Sequence, residues 1–304
     1  MRKDRIPKPQ FFIVGAPKCG TTALWHWLRQ HPQIYLPEKK ELHYFGQDLD
    51  MYHSSLEEYL DWFKNAREDQ IIGEASTSYF YSETAPYEIL EFVEGAKVII
   101  ALRNPVDMVY SLHAQLVFSG EEPIKDFRKA LIEEPLRKKG CGLPKYRKAP
   151  TIYFLYTEVG KFSLYIRRYL AAFGERAYIV LYDDIKTRAH VVYREILEFL
   201  GVDNTFTPQF SVMNPYKRPR SYILSRFMGL FPLTPVGNMF KKIIPKEVRS
   251  RIATKLWNLN SKYAEKPPMD PHLRRELTER FRDDIIELEK IIKRDLSAWL
   301  VDKK

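Results

Sequence analysis

Four short apolar runs, separated by stretches with helical periodicity, mark the first two thirds of the chain. Runs rich in β-branched and aromatic residues are typical of buried strands. They are QFFIVG (10–15), IIGEAS (71–76), KVIIAL (97–102) and AYIVLY (177–182). The pattern between them predicts helices at 21–31, 56–64, 86–93, 105–118, 158–172 and 188–200. Strands that alternate with helices predict an α/β fold, doubly wound around a central parallel sheet of four to five strands.

The pattern changes after about residue 205. Strand-like runs stop there, and a long amphipathic helix is predicted, with Asp270 as its cap and Pro271 in its first turn. We expect a single domain over 1–304. It would consist of an α/β core at 8–205 and a basic loop and helical extension at 206–304 that packs on the core.

Composition adds a prediction about compartment. With 45% hydrophobic and 14% aromatic residues in 304, the chain can bury a large core. Cys19 and Cys141 are too few for a disulfide framework, which favours a reducing compartment. The polar start MRKDRIPKPQ is unlike a signal peptide, and no apolar run reaches the ~20 residues of a spanning helix. The sequence therefore predicts a soluble, cytoplasmic protein.

The net charge of +10 comes from one segment. Residues 217–262 contain eleven Lys and Arg and a single acid, Glu247, while the remaining 38 basic and 38 acidic residues cancel. A local excess indicates an anionic partner near this segment and not a general nucleic-acid binder. Bulky apolar residues lie between the bases, as in a segment that contacts a membrane surface, although core-facing helices with solvated charges show the same pattern.

The loop after the first apolar run, GAPKCGTT (15–22), has the form of a phosphate cradle. Its strand–loop–helix context presents backbone N–H groups and the positive end of a helix dipole to an anion. Thr21 and Thr22 add hydroxyl groups, and Lys18 adds a charge. The loop is P-loop-like, but it lacks the Gly-Lys-Ser/Thr ending with which nucleoside triphosphatases bind the terminal phosphates and Mg²⁺.

Two further motifs carry chemistry. In LRNPVDMVYS (102–111), Arg103 leaves a strand at the ligand-binding edge and Ser111 follows two turns into a helix, a pair suited to a second phosphate. In PEKKELHYFG (37–46), Glu41 and His43 would share one side of the backbone if the segment is extended. A carboxylate beside an imidazole can transfer protons.

Together, VGAPKCGTTAL, KELHYF and LRNPVDMVYS resemble the sulfotransferases that use 3′-phosphoadenosine 5′-phosphosulfate (PAPS). The branch with the heparan-sulfate enzymes and many bacterial members is the most similar. The resemblance implies sulfuryl transfer without a metal, with 3′-phosphoadenosine 5′-phosphate as product. It also implies that a loop without the metal-binding ending is the expected form.

The resemblance implies a role for each motif residue. Glu41 would be the general base, with His43 beside it, and Lys18 would stabilise the leaving phosphate. Arg103 and Ser111 would bind the 3′-phosphate. The remaining cofactor contacts would come from the phosphate loop and from NPYKRPRS (214–221), at Ala16, Pro17, Lys18, Cys19, Gly20, Thr21, Thr22, Lys217, Arg218 and Arg220.

The resemblance has one departure. Ala75, in GEASTSYF, stands where heparan-sulfate enzymes have a lysine, so a heparan-type acceptor is not implied. We expect a cytoplasmic, bacterial sulfotransferase with a carbohydrate acceptor, while a lipid or small metabolite, and the oligomeric state, stay open. Two alternatives are a P-loop kinase or nucleoside triphosphatase, and a non-enzymatic module that binds anions or a membrane surface through 217–262.

Overall fold

The computed structural model describes residues 7–145, 147–210, 217–231, 234, 239 and 246–301. At 217, 218, 230, 246, 247 and 250 only the backbone is described. The chain forms two compact units. The first contains the described residues of 1–108, 161–213 and 281–304, and the second those of 109–160 and 214–280. The expectation of a single domain stays a prediction.

The first unit is built on a five-stranded parallel sheet. Its strands are β1 (Phe11–Ile13), β2 (Ile34–Tyr35), β3 (Ile71–Ala75), β4 (Lys97–Leu102) and β5 (Ala177–Leu181). They lie in the order β2-β3-β1-β4-β5, and every neighbouring pair is parallel. All of β1 and residues 98–102 of β4 are fully buried, as expected for strands that are covered on both faces. The predicted parallel sheet flanked by helices is confirmed.

Helices occupy most of the remaining described chain. They are α1 (Thr21–Leu28), α2 (Leu56–Asp61), α3 (Ala85–Phe92), α4 (Pro105–Ser119), α5 (Phe127–Ile132), α6 (Glu134–Lys138), α7 (Tyr156–Val159), α8 (Phe162–Phe173), α9 (Tyr182–Thr187), α10 (Ala189–Leu200), α11 (Tyr222–Leu230), α12 (Lys246–Asn260) and α13 (Pro271–Ile292). Single 3₁₀ turns lie at Thr77–Tyr81, Thr151–Phe154, Gly174–Arg176 and Ser297–Trp299. Five of the six helices predicted before residue 205 are present, with ends that differ by a few residues, and the one predicted at 158–172 is divided into α7 and α8.

The C-terminal region is largely helical, as predicted. Asp270 caps α13, because its Oδ1 accepts a hydrogen bond of 2.8 Å from the N–H of Leu273. The expectation that strands stop after residue 205 is wrong, since β6 (Lys217–Pro219) and β7 (Ser261–Tyr263) form an antiparallel pair in the second unit. Three residues are too few to show a strand pattern. In the part of the chain that is described, no helix is long and apolar enough to cross a bilayer.

Within the first unit, Trp299 holds the residues at the start of α4. Asn104 is buried, and its side-chain oxygen caps the helix by accepting from the N–H of Val106 at 2.9 Å. Its amide nitrogen donates to the backbone oxygen of Trp299 at 3.1 Å. The Trp299 indole in turn donates to Asp183 at 3.0 Å. These contacts fix the backbone that carries Arg103.

Candidate active site

The loop between β1 and α1 begins in close contact with β4. The N–H of Val14 donates to Ile99 at 2.9 Å, and that of Ala16 donates to Ala101 at 3.0 Å. Gly15 lies so close to β4 that a Cβ built on it would fall 2.0 Å from the Ala101 nitrogen. Since backbone cannot move aside cheaply, only glycine fits at this position. The first glycine of the motif thus sets the path of the loop.

The second glycine starts the helix. Gly20 precedes α1 with a φ of 92°, in the left-handed region that favours glycine. Within the described residues, no side chain caps this helix end. The first-turn N–H groups lack acceptors inside the helix and carry the positive end of its dipole. This end of α1, with Thr21 and Thr22 in its first turn, therefore suits an anion.

Three cationic side chains surround the loop. Lys18 is half-buried, and burial, helped by the nearby charges of Arg103 and Lys40, lowers its pKa to about 8. Arg103 follows β4 directly; its guanidinium donates to the backbone oxygen of Lys18 at 3.2 Å and stacks 4.5 Å from the ring centre of Tyr182. An anion bound here would relieve the repulsion among these cations.

Cys19 fills the inside of the loop. Its side chain is fully buried, and its thiol contacts the backbone oxygen of Pro17 at 3.5 Å. Burial raises the pKa of this thiol, so it stays protonated at neutral pH. A thiol of this kind is inert and serves packing.

Lys40 joins the phosphate loop to the candidate base. Its ammonium donates to the Thr21 hydroxyl and to the Glu41 carboxylate, both at 2.9 Å. The side chain of Lys40 is 15% exposed and that of Glu41 is 31% exposed. The sequence shows Lys40 only as a neighbour of Glu41, because the direction of its side chain depends on how the segment folds back toward α1.

Glu41 is held as a carboxylate. Its Oε2 accepts a hydrogen bond of 2.8 Å from the N–H of Thr77, and the Thr77 hydroxyl lies 3.2 Å from Oε1. Burial alone would raise the pKa of Glu41, but Lys40, His43 and the Thr77 N–H together lower it below its ordinary value. Glu41 is therefore ionised at neutral pH and able to accept a proton.

His43 lies beside it as a neutral imidazole. Its Nδ1 is 3.3 Å from the Ser78 hydroxyl. Burial lowers the pKa of His43, and Lys39, His53 and Lys40 act in the same direction against the opposing charge of Glu41. At neutral pH the ring can therefore accept a proton, but as an imidazole it is a weaker electrostatic partner for an anion than a lysine.

The backbone around these residues is not extended. Glu41 and His43 have φ values of 61° and 56°, so the condition under which their side chains would share one side of an extended segment is not met. The segment does not join the sheet; the N–H of Glu41 makes a hydrogen bond of 2.8 Å to Ala75 at the end of β3. Lys18 has a φ of 64°, so the three catalytic candidates are three of the four non-glycine residues with positive φ in the described chain.

Such backbone conformations cost about 1–2 kcal/mol each and persist only where the surroundings enforce them. They cluster at functional sites, and here all three coincide with residues that the motifs had already selected. The strain is therefore independent support for a functional site at this end of the sheet.

The buried carboxyl group of Glu74 supports the segment that carries Glu41 and His43. Glu74 of β3 is 1% exposed and accepts hydrogen bonds from the hydroxyl groups of Tyr59, at 3.0 Å, and Ser76, at 2.5 Å. Ser76 also accepts from the N–H of His43 at 3.3 Å. Burial raises the pKa of Glu74 to about 7. Sequence reasoning missed this residue; the available signal was an acid inside an apolar strand run.

Aromatic rings complete this support. The Tyr79 hydroxyl accepts from the N–H groups of Tyr44 and Phe45, at 2.8 and 3.3 Å. The ring of Tyr44 stacks on that of Tyr59 with 4.5 Å between centres. The backbone that follows His43 is thus fixed by both hydrogen bonds and ring packing.

Four of the predicted cofactor-binding residues belong to the second unit. Ser111 is on α4 and Arg220 is an exposed residue after β6, both in the second unit. The side chains of Lys217 and Arg218 are outside the described part of the chain. A shared role of Ser111, Lys217, Arg218 and Arg220 with Arg103 therefore stays a prediction.

Curated proteins similar to this chain are sulfotransferases of larger size. Bifunctional heparan sulfate N-deacetylase/N-sulfotransferase 4 of Mus musculus is 27% identical over 318 residues, which cover 98% of this chain and 31% of that protein. Carbohydrate sulfotransferase 15 of Homo sapiens is 25% identical over 301 residues, covering 81% of this chain and 53% of that protein. The chain spans about a third of the first relative and about half of the second.

A solved structure and a family model agree with this result. The sulfotransferase from Alicyclobacillus acidocaldarius is 29% identical, with a TM-score of 0.71, and the likeness covers 96% of this chain and 99% of that one. The model of the sulfotransferase domain matches residues 8–220, which include the phosphate loop, Glu41 and Arg103. This match takes in more than half of the chain, and we conclude that the protein belongs to the sulfotransferase domain family of enzymes.

Proposed function

We propose that the protein transfers a sulfuryl group from PAPS to a hydroxyl or amine of a carbohydrate. The observation that carries this proposal is the position of Lys40, whose ammonium contacts both Thr21 of the phosphate loop and the carboxylate of Glu41 at 2.9 Å. A base next to a phosphate cradle is what transfer from an activated phosphate donor to an acceptor requires. The names of the similar curated proteins support a carbohydrate as acceptor.

The hydrogen-bond donors and cationic side chains around the phosphate loop suit PAPS. The open end of α1 offers N–H groups and hydroxyls for the 5′-phosphosulfate, and Lys18, Lys40 and Arg103 bring positive charge to the same loop. Arg103 would also reach the 3′-phosphate, together with Ser111. Lys217, Arg218 and Arg220 would cover the nucleotide.

When bound, PAPS supplies an activated sulfuryl group. Glu41, as a carboxylate, takes the proton of the acceptor hydroxyl or amine, and Lys40 holds it in position through their ion pair. Lys18, with a pKa of about 8, is mostly protonated at neutral pH and offsets negative charge on the leaving phosphate. The N–H groups at the start of α1 orient the same phosphate. A base on the acceptor side and a cation on the leaving-group side are what in-line transfer requires.

Nucleotide binding is the first test. Thermal melting is followed during titration with adenosine 3′,5′-bisphosphate, ADP, and ATP with Mg²⁺. We expect the 3′,5′-bisphosphate to stabilise the protein most and without metal, because ligand that binds only the folded state raises the melting temperature. Arg103→Ala should lose most of that stabilisation. A response restricted to ATP with Mg²⁺ would overturn the proposal.

The role of Glu41 is tested by Glu41→Gln, with transfer of labelled sulfate from PAPS to glucosamine-containing oligosaccharides as the assay. We expect a loss of roughly 10²–10⁴-fold in transfer rate, the usual scale for a general base, while stabilisation by the bisphosphate is kept. Glu38→Gln, which changes an exposed acid three residues away, is the matched control. Loss of nucleotide binding in Glu41→Gln would make Glu41 structural.

The cytoplasmic location expected from the sequence stays a prediction. So does the rival reading as a module that binds a membrane surface through 217–262. That segment also has exposed apolar side chains, for which the sulfuryl-transfer proposal gives no role.

A further inference from the structure

Exposed apolar side chains concentrate in one part of the second unit. Of the eighteen large hydrophobic residues that are exposed in the described chain, nine lie between 217 and 263. They are Ile223, Leu224, Phe227, Met239, Val248, Ile252, Leu256, Leu259 and Tyr263. Exposed apolar residues that are scattered singly are ordinary, whereas a concentration in one segment marks an interaction surface.

Helix α12 carries the most regular part of this surface. Val248, Ile252, Leu256 and Leu259 are spaced by four, four and three residues, so they lie along one face of the helix. They are 44%, 50%, 40% and 63% exposed. We refer to these four residues as the apolar stripe. A core-facing helix would bury this face, so that interpretation of the segment fails for α12.

A different face attaches α12 to the second unit. Trp257 packs on Phe118 of α4 with 5.4 Å between ring centres. Asn260 is buried; its side-chain oxygen accepts from the N–H of Ser221 at 2.9 Å, and its amide nitrogen donates to the backbone oxygen of Ser221 at 3.0 Å and to the Ser225 hydroxyl at 2.9 Å. Trp257 lies on the side of the helix opposite the apolar stripe and Asn260 lies to one side of it, so α12 is held in place while the apolar stripe stays exposed.

Basic residues border the apolar stripe. Arg251 and Lys255 are exposed, lie one turn apart, and line a shallow depression with Thr254, Asn258 and Leu259. The wider segment 217–262 has eleven basic residues and one acidic residue. An apolar stripe next to bases is the arrangement of helices that lie in the plane of a bilayer surface. The bases face anionic head groups and the apolar residues enter the acyl boundary.

We propose that α12, with the exposed residues of α11, is a peripheral binding surface for membranes that contain anionic lipids. A second copy of the chain is disfavoured, because a two-fold contact would place two strongly basic surfaces against each other. A soluble polyanion would use the bases but leave exposed isoleucine and leucine without a role. The proposal is independent of the acceptor in sulfuryl transfer.

The test uses the full chain and sedimentation with vesicles. Vesicles of phosphatidylcholine with phosphatidylglycerol are compared with vesicles of phosphatidylcholine alone. We expect binding to the anionic vesicles that weakens with salt, and at least tenfold weaker partitioning for the triple variant I252S/L256S/L259S. R251Q/K255Q should weaken binding to anionic vesicles. The control I132S/L136S/L164S removes three other exposed apolar residues and should bind normally.

The triple variant I252S/L256S/L259S is called the stripe variant, and its melting temperature and transfer activity distinguish the possible outcomes. The stripe variant should keep the native melting temperature and its transfer to a soluble carbohydrate, since none of its residues is in the transfer site. The proposal is overturned if anionic vesicles are not bound, or if the stripe variant and the control lose binding equally. It is also overturned if the stripe variant binds normally, which would mean adsorption by charge alone, or if it only dissociates a dimer in sedimentation velocity.

Discussion

Replacement of Glu74 with glutamine tests how the buried carboxyl group of Glu74, close to the candidate base Glu41, affects stability. Glu74 is 1% exposed and has hydroxyl groups of Tyr59 and Ser76 as hydrogen-bond partners. Burial disfavours its charged form, which raises its pKa to about 7. Glutamine has the same shape, keeps an acceptor oxygen and has no charge. We therefore expect Glu74→Gln to gain stability relative to the native protein as the pH rises.

The magnitude follows from the two pKa values. Glu74 titrates near 7 in the folded state, against an ordinary value of 4.5. Between these values the folded state keeps a proton that the unfolded state has lost, so stability falls as pH increases. At 1.36 kcal/mol per unit, the native protein loses about 3 kcal/mol through Glu74 between about pH 4.5 and pH 8. Below about pH 4.5 both states are protonated and the penalty is absent.

The assay is urea unfolding of both proteins across this pH range. The difference in the free energy of unfolding isolates Glu74, because other titrating groups contribute equally to both proteins. Melting temperatures provide a second measurement, in which about 3 kcal/mol corresponds to roughly 5–10 °C. Glu38→Gln, which makes the same substitution at an exposed site, is the matched control.

A difference that does not change with pH would refute the reasoning, since it would mean that Glu74 has the same pKa in both states. A difference of the opposite sign, with glutamine relatively better at low pH, would mean that Glu74 is a stabilised carboxylate. In that case positive charge near β3 would outweigh burial.

Two other substitutions test contacts on which each unit depends. Gly15→Ala places a Cβ 2.0 Å from the Ala101 nitrogen, so we expect a loss of about 3 kcal/mol or more and loss of stabilisation by adenosine 3′,5′-bisphosphate. Gly95→Ala, which meets no atom within 4 Å, should cost only about 1 kcal/mol through its positive φ; equal costs would contradict the packing argument. Arg137→Met removes the partner of Glu122 from a fully buried ion pair with contacts of 2.7 and 3.0 Å, and should cost about 3–5 kcal/mol in urea unfolding. E122Q/R137M should recover part of this loss, and no recovery would show that the unpaired charge is not its cause.

The fold could be predicted where local signals decide it. The apolar runs at 71–76, 97–102 and 177–182 contain β3, β4 and β5, and Pro105 begins α4 as its fixed φ favours. Predictions failed where the signal was short. β2 has two residues and β6 and β7 have three each, and they exist because neighbouring segments supply hydrogen-bond partners.

The candidate site, like the fold, could be predicted from the sequence only in part. Lys18, Glu41 and Arg103 were selected from motifs, since residue type and spacing are visible along the chain. The conformation of Glu41 and His43 could not be decided from the sequence, because their positive φ values come with hydrogen bonds to β3 and the turn after it. No local pattern reports such contacts between residues some 35 positions apart.

The sequence by itself determined the alternation of strands and helices, the glycine-bounded loop and the excess of charge in 217–262. These depend on periodicity, on residues with restricted backbone freedom and on composition. Only the tertiary structure decided that Lys40 joins Thr21 to Glu41, that Glu74 supports the backbone of His43, and that the apolar stripe of α12 is exposed. Distances between remote residues and the exposure of a helix face depend on how the whole chain packs, and that information is distributed over all of its elements.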